Sequence, residues 1–345
     1  MSLFFRGGRL SCPAKGIMSY TIIEDNLTRM KTYRDDSRQD LAWSSVFVLP
    51  DWLEVWWQVF GSEAELLIRT VRSGEKVIGI APLMVKKGVA YLIGDTDVCD
   101  YHDFIITPGL EAEFYNLILD DLKKNGISRL DLKHLRPEAT ALTCLKGIAE
   151  QRRYPVVNTR DDLSLEIVLP SLWDEYLETL SSKQRHEVRR KLRRLFDKGE
   201  VEYRFLNHKA ALSETMDHFF RMFVESRPDK AAFLTEKMKS FFGLLAETMA
   251  RTGLLKLGTL LLDEQPLAEI MCFDYQRCIY LYNSGYDPNY TSLSAGLICK
   301  ILAIKAGIEQ GYTRFDFLKG AETYKYQLGG KEVPLFRCQI TLEAA

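Results

Sequence analysis

Two stretches of this 345-residue chain read alike: residues 126–132, GISRLDL, and residues 311–317, GYTRFDF, which share the pattern G-x-[ST]-R-[LF]-D-[LF]. The surroundings match as well. An amphipathic segment precedes each motif, at 112–124 and 295–310, with apolar residues at helical spacing. Before it lies a hairpin, 66–72 turning into 77–85 in one case and 254–262 turning into 267–275 in the other. A further strand follows each hairpin, at 90–93 and 278–284. The distance from Gly74 to Gly126 nearly equals that from Asp263 to Gly311. Chance supplies a short motif more easily than the same element order at the same spacing, so the chain reads as a duplicated unit.

The first unit spans residues 19–160 and opens with a Trp-rich helix at 51–60. The second spans 161–345: a strand at 163–169, helices at 172–180, 182–198, 209–225 and 236–251, then its sheet. Ser171 and Ser182 stand where helix N-caps belong, and Gly199 and Gly253 where helices stop. Hairpins that lead into a helix and a returning strand predict an α/β fold with mixed, mostly antiparallel sheets flanked by helices. The alternating βα units and G-x-G-x-x-G of a dinucleotide fold are missing.

Composition narrows the function. Lys and Arg total 46 against 47 Asp and Glu, so no whole-molecule field favours nucleic acid or anionic membrane. The seven cysteines are scattered without a C-x-x-C, and the five histidines form no H-x-H or H-E-x-x-H. That pattern predicts reduced thiols, a cytoplasmic location and no metal. Residues 1–18, basic and glycine-rich, read as a disordered tail, with Met18 as an alternative start. No run of about 18 apolar residues occurs, so no membrane span is expected.

The candidate carrier site is the connection after the strand at 278–284. It delivers the chain to a helix beginning near Ser294, where Ser292 or Ser294 can cap and Ala295 and Gly296 leave the first turn uncluttered. A helix start offers unpaired N–H groups and partial positive charge, which suits a pyrophosphate. The matching stretch of the first unit carries Asp95, Asp97, Asp100 and Asp103. Such carboxylates repel a phosphorylated carrier, and Asp100 and Asp103 become candidates for an acceptor pocket between the units. Beyond the second motif stand Lys319, Tyr324 and Lys325, at a strand end where α/β folds gather functional groups. Lys325 is a candidate for a phosphate or oxyanion, and Tyr324 for protonating a leaving thiolate. Asp316 and Glu269 complete the catalytic candidates. Glu269 alternates onto an apolar strand face that would raise its pKa, as a general base requires, although a salt-bridged glutamate is the commoner outcome. The duplicate of Asp316 is Asp131, which favours a structural role for both.

Residues 183–194 pack seven Lys and Arg against one acid, Glu187. Val188, Leu192, Leu195 and Phe196 form the apolar stripe, and Arg185, Arg189 and Arg193 line another side. Like charges on one side are mutually unfavourable, so the row suggests an anionic partner: a carrier phosphate, a phosphorylated acceptor or RNA.

Together these features resemble the CelD/BcsL-like acetyltransferases of the GNAT superfamily, related to the Fem-type peptidoglycan aminoacyltransferases. The resemblance rests on Trp52 to Trp57, Ala81-Pro82-Leu83, Leu180 to Arg185, Tyr282 to Asp287, Ser294 to Gly296, Asp316 to Gly320 and Tyr324-Lys325. It spans nearly the whole chain, departing with Ser-Ala-Gly where Ser-Pro-Gly is usual and with Lys319 where Arg is expected. It implies tandem GNAT domains and acyl transfer from acetyl-CoA or another acyl-CoA, often in exopolysaccharide or cell-envelope synthesis. Carried over, Ser294 to Gly296 would meet the pyrophosphate. Lys183, Arg185, Tyr324 and Lys325 would lie near the cleft, with Arg189, Tyr282, Tyr286 and Lys319 as further substrate-binding candidates. The acceptor would be a small molecule, glycan or peptide bearing an amine or hydroxyl. Two alternatives stay open: a Fem-like transferase that uses aminoacyl-tRNA, and a non-catalytic binding protein on the same scaffold.

Overall fold

The computed structural model describes residues 19–94, 97–206 and 212–342, and in it the two motif glycines close their helices in the same way. Gly126 and Gly311 have φ of 76° and 77°, a left-handed conformation that suits glycine. Their N–H groups donate to Lys123 and Ile308, and those of the next residues, Ile127 and Tyr312, to Leu122 and Gly307. This paired capping explains why each motif begins with glycine.

The strands are β1 Tyr20–Asp25, β2 Glu65–Ser73, β3 Lys76–Lys86, β4 Val89–Leu92, β5 Ile105–Ile106, β6 Arg129–Leu135 and β7 Val156–Val168. They continue with β8 Val201–Leu206, β9 Leu255–Leu262, β10 Gln265–Tyr275, β11 Cys278–Tyr286, β12 Arg314–Lys319 and β13 Lys331–Thr341. The helices are α1 Leu27–Asp35, α2 Pro50–Phe60, α3 Glu111–Lys124, α4 Lys146–Gln151, α5 Trp173–Thr179 and α6 Ser182–Phe196. After them come α7 Leu212–Ser226, α8 Pro228–Phe233, α9 Glu236–Arg251, α10 Ala295–Glu309 and α11 Thr323–Gln327. The tail at 1–18, Asp95 and the predicted start of the helix at 209 lie outside the described residues.

All the described strands join one mixed sheet in the order β1-β2-β3-β4-β6-β13-β7-β12-β11-β10-β9-β8, with β5 pairing beside β3. Outward from the central β13–β7 pair, the two halves present corresponding strands. Only β4 with β6 and β11 with β12 run parallel. The sequence counts β13 with the second unit, yet it hydrogen-bonds β6 of the first half as well as β7. The halves therefore share an uninterrupted ladder.

Three apolar cores cover the sheet. One lies against α3 in the first half and one against α10 in the second. The third is shared, joining α1 and α2 of the first half to α7 and α9 of the second. At its centre Trp52 is fully buried, with ring centroids 4.6 Å from Phe47, 5.1 Å from Phe273 and 5.3 Å from Tyr282. The Trp-rich helix is thus the joint between the halves.

The α6 helix starts with a capping box: the Gln184 N–H donates to Ser181 Oγ, and the Ser181 N–H donates to the Gln184 side-chain oxygen. The Gln184 side-chain amide also donates to the Tyr326 carbonyl at 2.7 Å, tying α6 to α11. Val188 and Leu195 are buried as the stripe predicts. Phe196 is instead 52% exposed, because the helix ends there and turns away from the core.

Candidate active site

The strands β11 and β12 pair only from Cys278↔Arg314 to Tyr280↔Asp316, after which β11 continues to Tyr286 and β12 to Lys319 without bonding. Parallel neighbours that part leave a wedge. A cavity of about 510 Å³ fills it, lined by the start of α10, the ends of both strands, α8 and the first half's Asp97 and Asp100. Ser294, Ala295, Gly296, Tyr282, Tyr286, Lys319, Tyr324, Lys325 and Asp100 all line it, so the fold brings together most of the residues singled out in the sequence.

The α10 start departs in detail from the predicted cap. Ser292 is exposed in the preceding turn. Ser294 takes the cap position with a left-handed φ of 62° and makes no side-chain cap. Its Oγ instead receives Lys191 Nζ at 2.7 Å and Arg194 at 3.4 Å. Ala295 and Gly296, whose N–H groups have no intrahelical acceptor by geometry, line the cavity. Gly296 is required by packing too, since a Cβ there would stand 2.9 Å from the Tyr286 ring.

The cavity carries charges of both signs. Arg227, Lys230 and Lys300 stand on the second-half side, and sequence reasoning passed over all three because they belong to no motif. Lys300 is buried in the first turns of α10, with Nζ 3.0 Å from the Gly296 carbonyl and 5.0 Å from the Tyr324 ring centre. No carboxylate pairs with it among the described residues. Burial lowers its pKa. A cation at the positive end of a helix opposes the dipole, an arrangement that an incoming anion would relieve. Facing it are Asp97 and Asp100; the Asp100 carboxylate is buried, which raises its pKa, and accepts the Lys319 N–H at 2.9 Å. Two of the carboxylates expected to wall off the first half, Asp97 and Asp100, thus line the second half's cavity.

Several sequence expectations require correction. Lys325 is not a free cation. Its buried Nζ donates to the carbonyls of Leu318 at 3.1 Å, Lys319 at 2.6 Å and Gly320 at 3.1 Å, and pairs with Glu322 at 2.9 Å. It braces the loop below the cavity instead of holding an oxyanion. Asp316 lies outside the cavity lining. Its buried carboxylate accepts the Tyr101 hydroxyl at 2.7 Å and the N–H of Leu318 at 2.8 Å, with Arg136 at 3.5 Å. Leu318 has φ of 63°, so Asp316 fixes a strained residue at the cavity's edge. Burial pushes the Asp316 pKa up to about 6. Glu269 is also absent from the lining; burial raises its pKa, and it pairs with His218 Nδ1 at 3.0 Å. That makes it a glutamate paired with a histidine, one strand away. The Tyr282 hydroxyl donates to the Val98 carbonyl at 3.0 Å. Asp103 accepts from Phe104, Thr140 and Ala141 backbone N–H groups, a local brace far from an acceptor role. Lys183, Arg185 and Arg189 do not line the cavity; their side of α6 faces away, and Lys191 and Arg194 turn inward instead. Tyr324 stays a proton-donor candidate, and burial raises its pKa.

The first half's corresponding wedge is smaller, a cavity of about 160 Å³ lined by the end of β4, Gly94, His102 and, on β6, Asp131 and Lys133. After β4 the chain runs through 97–104 before β5, and α3 begins only at Glu111 with Glu111 and Glu113 in its first turn. His102 narrows it, so close that a Cβ on Gly94 would stand 2.5 Å from its Nε2. Burial lowers the pKa of His102 to about 3 and that of His134 to about 4. In the unfolded chain both take protons below about 6.5, so they cost stability as pH falls from there toward 3–4. Asp316 and Asp103, both raised to about 6, act oppositely between pH 6 and 4 because the folded state holds the extra protons. Comparing His102→Gln with the parent isolates the histidine. Its acid-side loss, read from urea midpoints at pH 7 and pH 4, should shrink by a few kcal/mol. An unchanged difference would mean that His102 protonates as freely folded as unfolded.

Residues 182–326 match the family model described as an acetyltransferase (GNAT) domain. That span contains α10, the β11–β12 wedge and the cations of the cavity. No curated protein matches the sequence. Among solved structures the chain is similar to FemX, with 12% identity and a TM-score of 0.62, covering 92% of this chain and 96% of that one. It is also similar to a conserved protein of unknown function from Bacteroides thetaiotaomicron, with 12% identity, a TM-score of 0.57, and 94% and 100% covered. A third is the C-terminal domain of a protein described as a lysylphosphatidylglycerol synthetase from Agrobacterium fabrum, with 10% identity, a TM-score of 0.51, and 76% and 80% covered. At such identities the likeness concerns the fold. The first two cover both halves of the chain. Among the described residues no cluster of His, Cys, Asp and Glu has metal-binding geometry, and no helix is long and apolar enough to cross a membrane.

Proposed function

We propose that the chain is an acyl-CoA-dependent acyltransferase that moves an acyl group, acetyl in the simplest case, to an amine or hydroxyl in the β11–β12 cavity. The observation that carries this reading is the buried Lys300, without a paired carboxylate, beside the bare N–H groups of Ala295 and Gly296. Together they make an anion site of the kind a pyrophosphate needs. Direct attack of the acceptor on the thioester would form the new bond to the acyl carbon as the thiolate leaves. Positioning supplies much of the rate in such reactions, and Tyr324, which lines the cavity, would protonate the leaving sulfur. Asp97 and Asp100 offer the acceptor a polar wall. The CelD/BcsL-like resemblance further suggests a cytoplasmic enzyme of cell-envelope or exopolysaccharide synthesis, with a glycan, peptide or small-molecule acceptor.

Acetyl-CoA titrated against the full chain by calorimetry tests the reading. Micromolar binding is expected, and Gly296→Glu should weaken it at least about a hundredfold through like charge at the helix start. Gly296→Ala makes the same approach to Tyr286 without the charge, so it should lose much less. Equal losses in the two variants would assign the effect to Tyr286 packing and remove the anion site.

The Fem-type resemblance supports a second reading, an aminoacyl-tRNA donor bound by the outer face of α6, where Lys183, Arg189 and Arg193 are exposed. Salt-sensitive tRNA binding without acetyl-CoA binding would select it.

A further inference from the structure

The α8 segment places one amine in an unusual setting. Lys230 lines the cavity beside Arg227 and Lys300, with its Nζ donating to the Ser284 carbonyl on the splayed end of β11 and lying 4.7 Å from the Phe223 ring centre on α7. We infer that Lys230 is a self-acylation site, taking the acyl group from the thioester bound in its own cavity. This rests on the acyl-CoA reading. The α10 start that would hold the carrier and Lys230 border the same space, so a bound thioester and this amine share one enclosure.

The chemistry requires a neutral amine. Burial, Lys300 and Arg227 all disfavour the ammonium, while Asp229 on α8 and Glu322 before α11 favour it weakly; the pKa is lowered to about 7. A neutral amine can donate one N–H to Ser284 and keep its lone pair for attack. The Nζ–acyl carbon bond forms, the C–S bond breaks, and the amine's lost proton leaves with the free thiol, giving CoA and acyl-Lys230. The amide carries no charge, so modification removes one cation from the cavity and fills part of it. Phosphates held at α10 beside Lys300 would draw the midpoint upward, so rates must be read across pH.

The test incubates the full chain with acetyl-CoA and maps acetyl-lysines by mass spectrometry from pH 6 to pH 9, alongside calorimetric binding. Lys230 should acetylate roughly tenfold or more faster at pH 7 than exposed lysines such as Lys183 in the same sample, because far more of it is neutral. Lys230→Arg should abolish that site. Lys300→Met should move the pH dependence of Lys230 acetylation upward by removing a like charge. Binding of acetyl-CoA with Lys230 no faster than Lys183 would overturn the inference while leaving the acyl-CoA reading intact. Absence of binding would overturn both.

Discussion

Replacing Lys325 with Met is expected to destabilise the fold by about 3–5 kcal/mol, the range seen when one partner of a buried charged network is removed. Its ammonium satisfies three consecutive carbonyls, Leu318 to Gly320, in a stretch that already holds Leu318 at φ 63° and Gly320 at φ 104°. Methionine fills the space but leaves those carbonyls without their donor, and Glu322 without its cation. Urea unfolding should show the loss, and acetyl-CoA affinity should fall with it, because Leu318 and Lys319 line the cavity. The catalytic alternative predicts a different pattern. If Lys325 held an oxyanion, stability would barely move while turnover collapsed, and a stability change below about 1 kcal/mol would restore that role.

Trp52→Ala should cost a similar amount, about 3–5 kcal/mol, as large aromatic truncations in cores do. The ring is enclosed by Phe47 from its own half and by Phe273, Tyr282 and Phe241 from the other. Its indole N–H also donates to Cys99 Sγ at 3.0 Å, a contact that a smaller residue loses. Because the cluster joins both halves and β13–β7 ties their sheets, the parent should unfold in one transition. In the variant the halves should begin to separate, seen as a broadened transition or as two. A sharp single transition with an unchanged midpoint would show that the shared core contributes little to coupling.

Much of the fold was legible from local patterns. Glycine after a helical stripe marked both helix ends, and alternating hydrophobicity marked both hairpins, because these features depend on neighbours within one turn or one strand pair. The basic helix was placed correctly but its facing was not. Charge spacing identified Arg185 and Arg189, whereas contact with α10 selected Lys191 and Arg194. Residues such as Lys230, Lys300 and His218 carried no motif, and only their positions across the cavity or the sheet give them meaning. A depressed lysine pKa in particular is a sum over burial and charges contributed by separate elements.

The sequence by itself determined the duplication, the α/β class and the helix start at Ser294. Each follows from periodicity, capping and turn chemistry, which are encoded within a few residues. The tertiary structure alone decided which charges work. It paired Lys325 with carbonyls and Glu269 with His218, sank Asp316 beneath the sheet, and carried Asp97 and Asp100 across to the other half's cavity. The reason is that a side chain's chemistry depends on its desolvation and partners, and those come from segments distant in the chain.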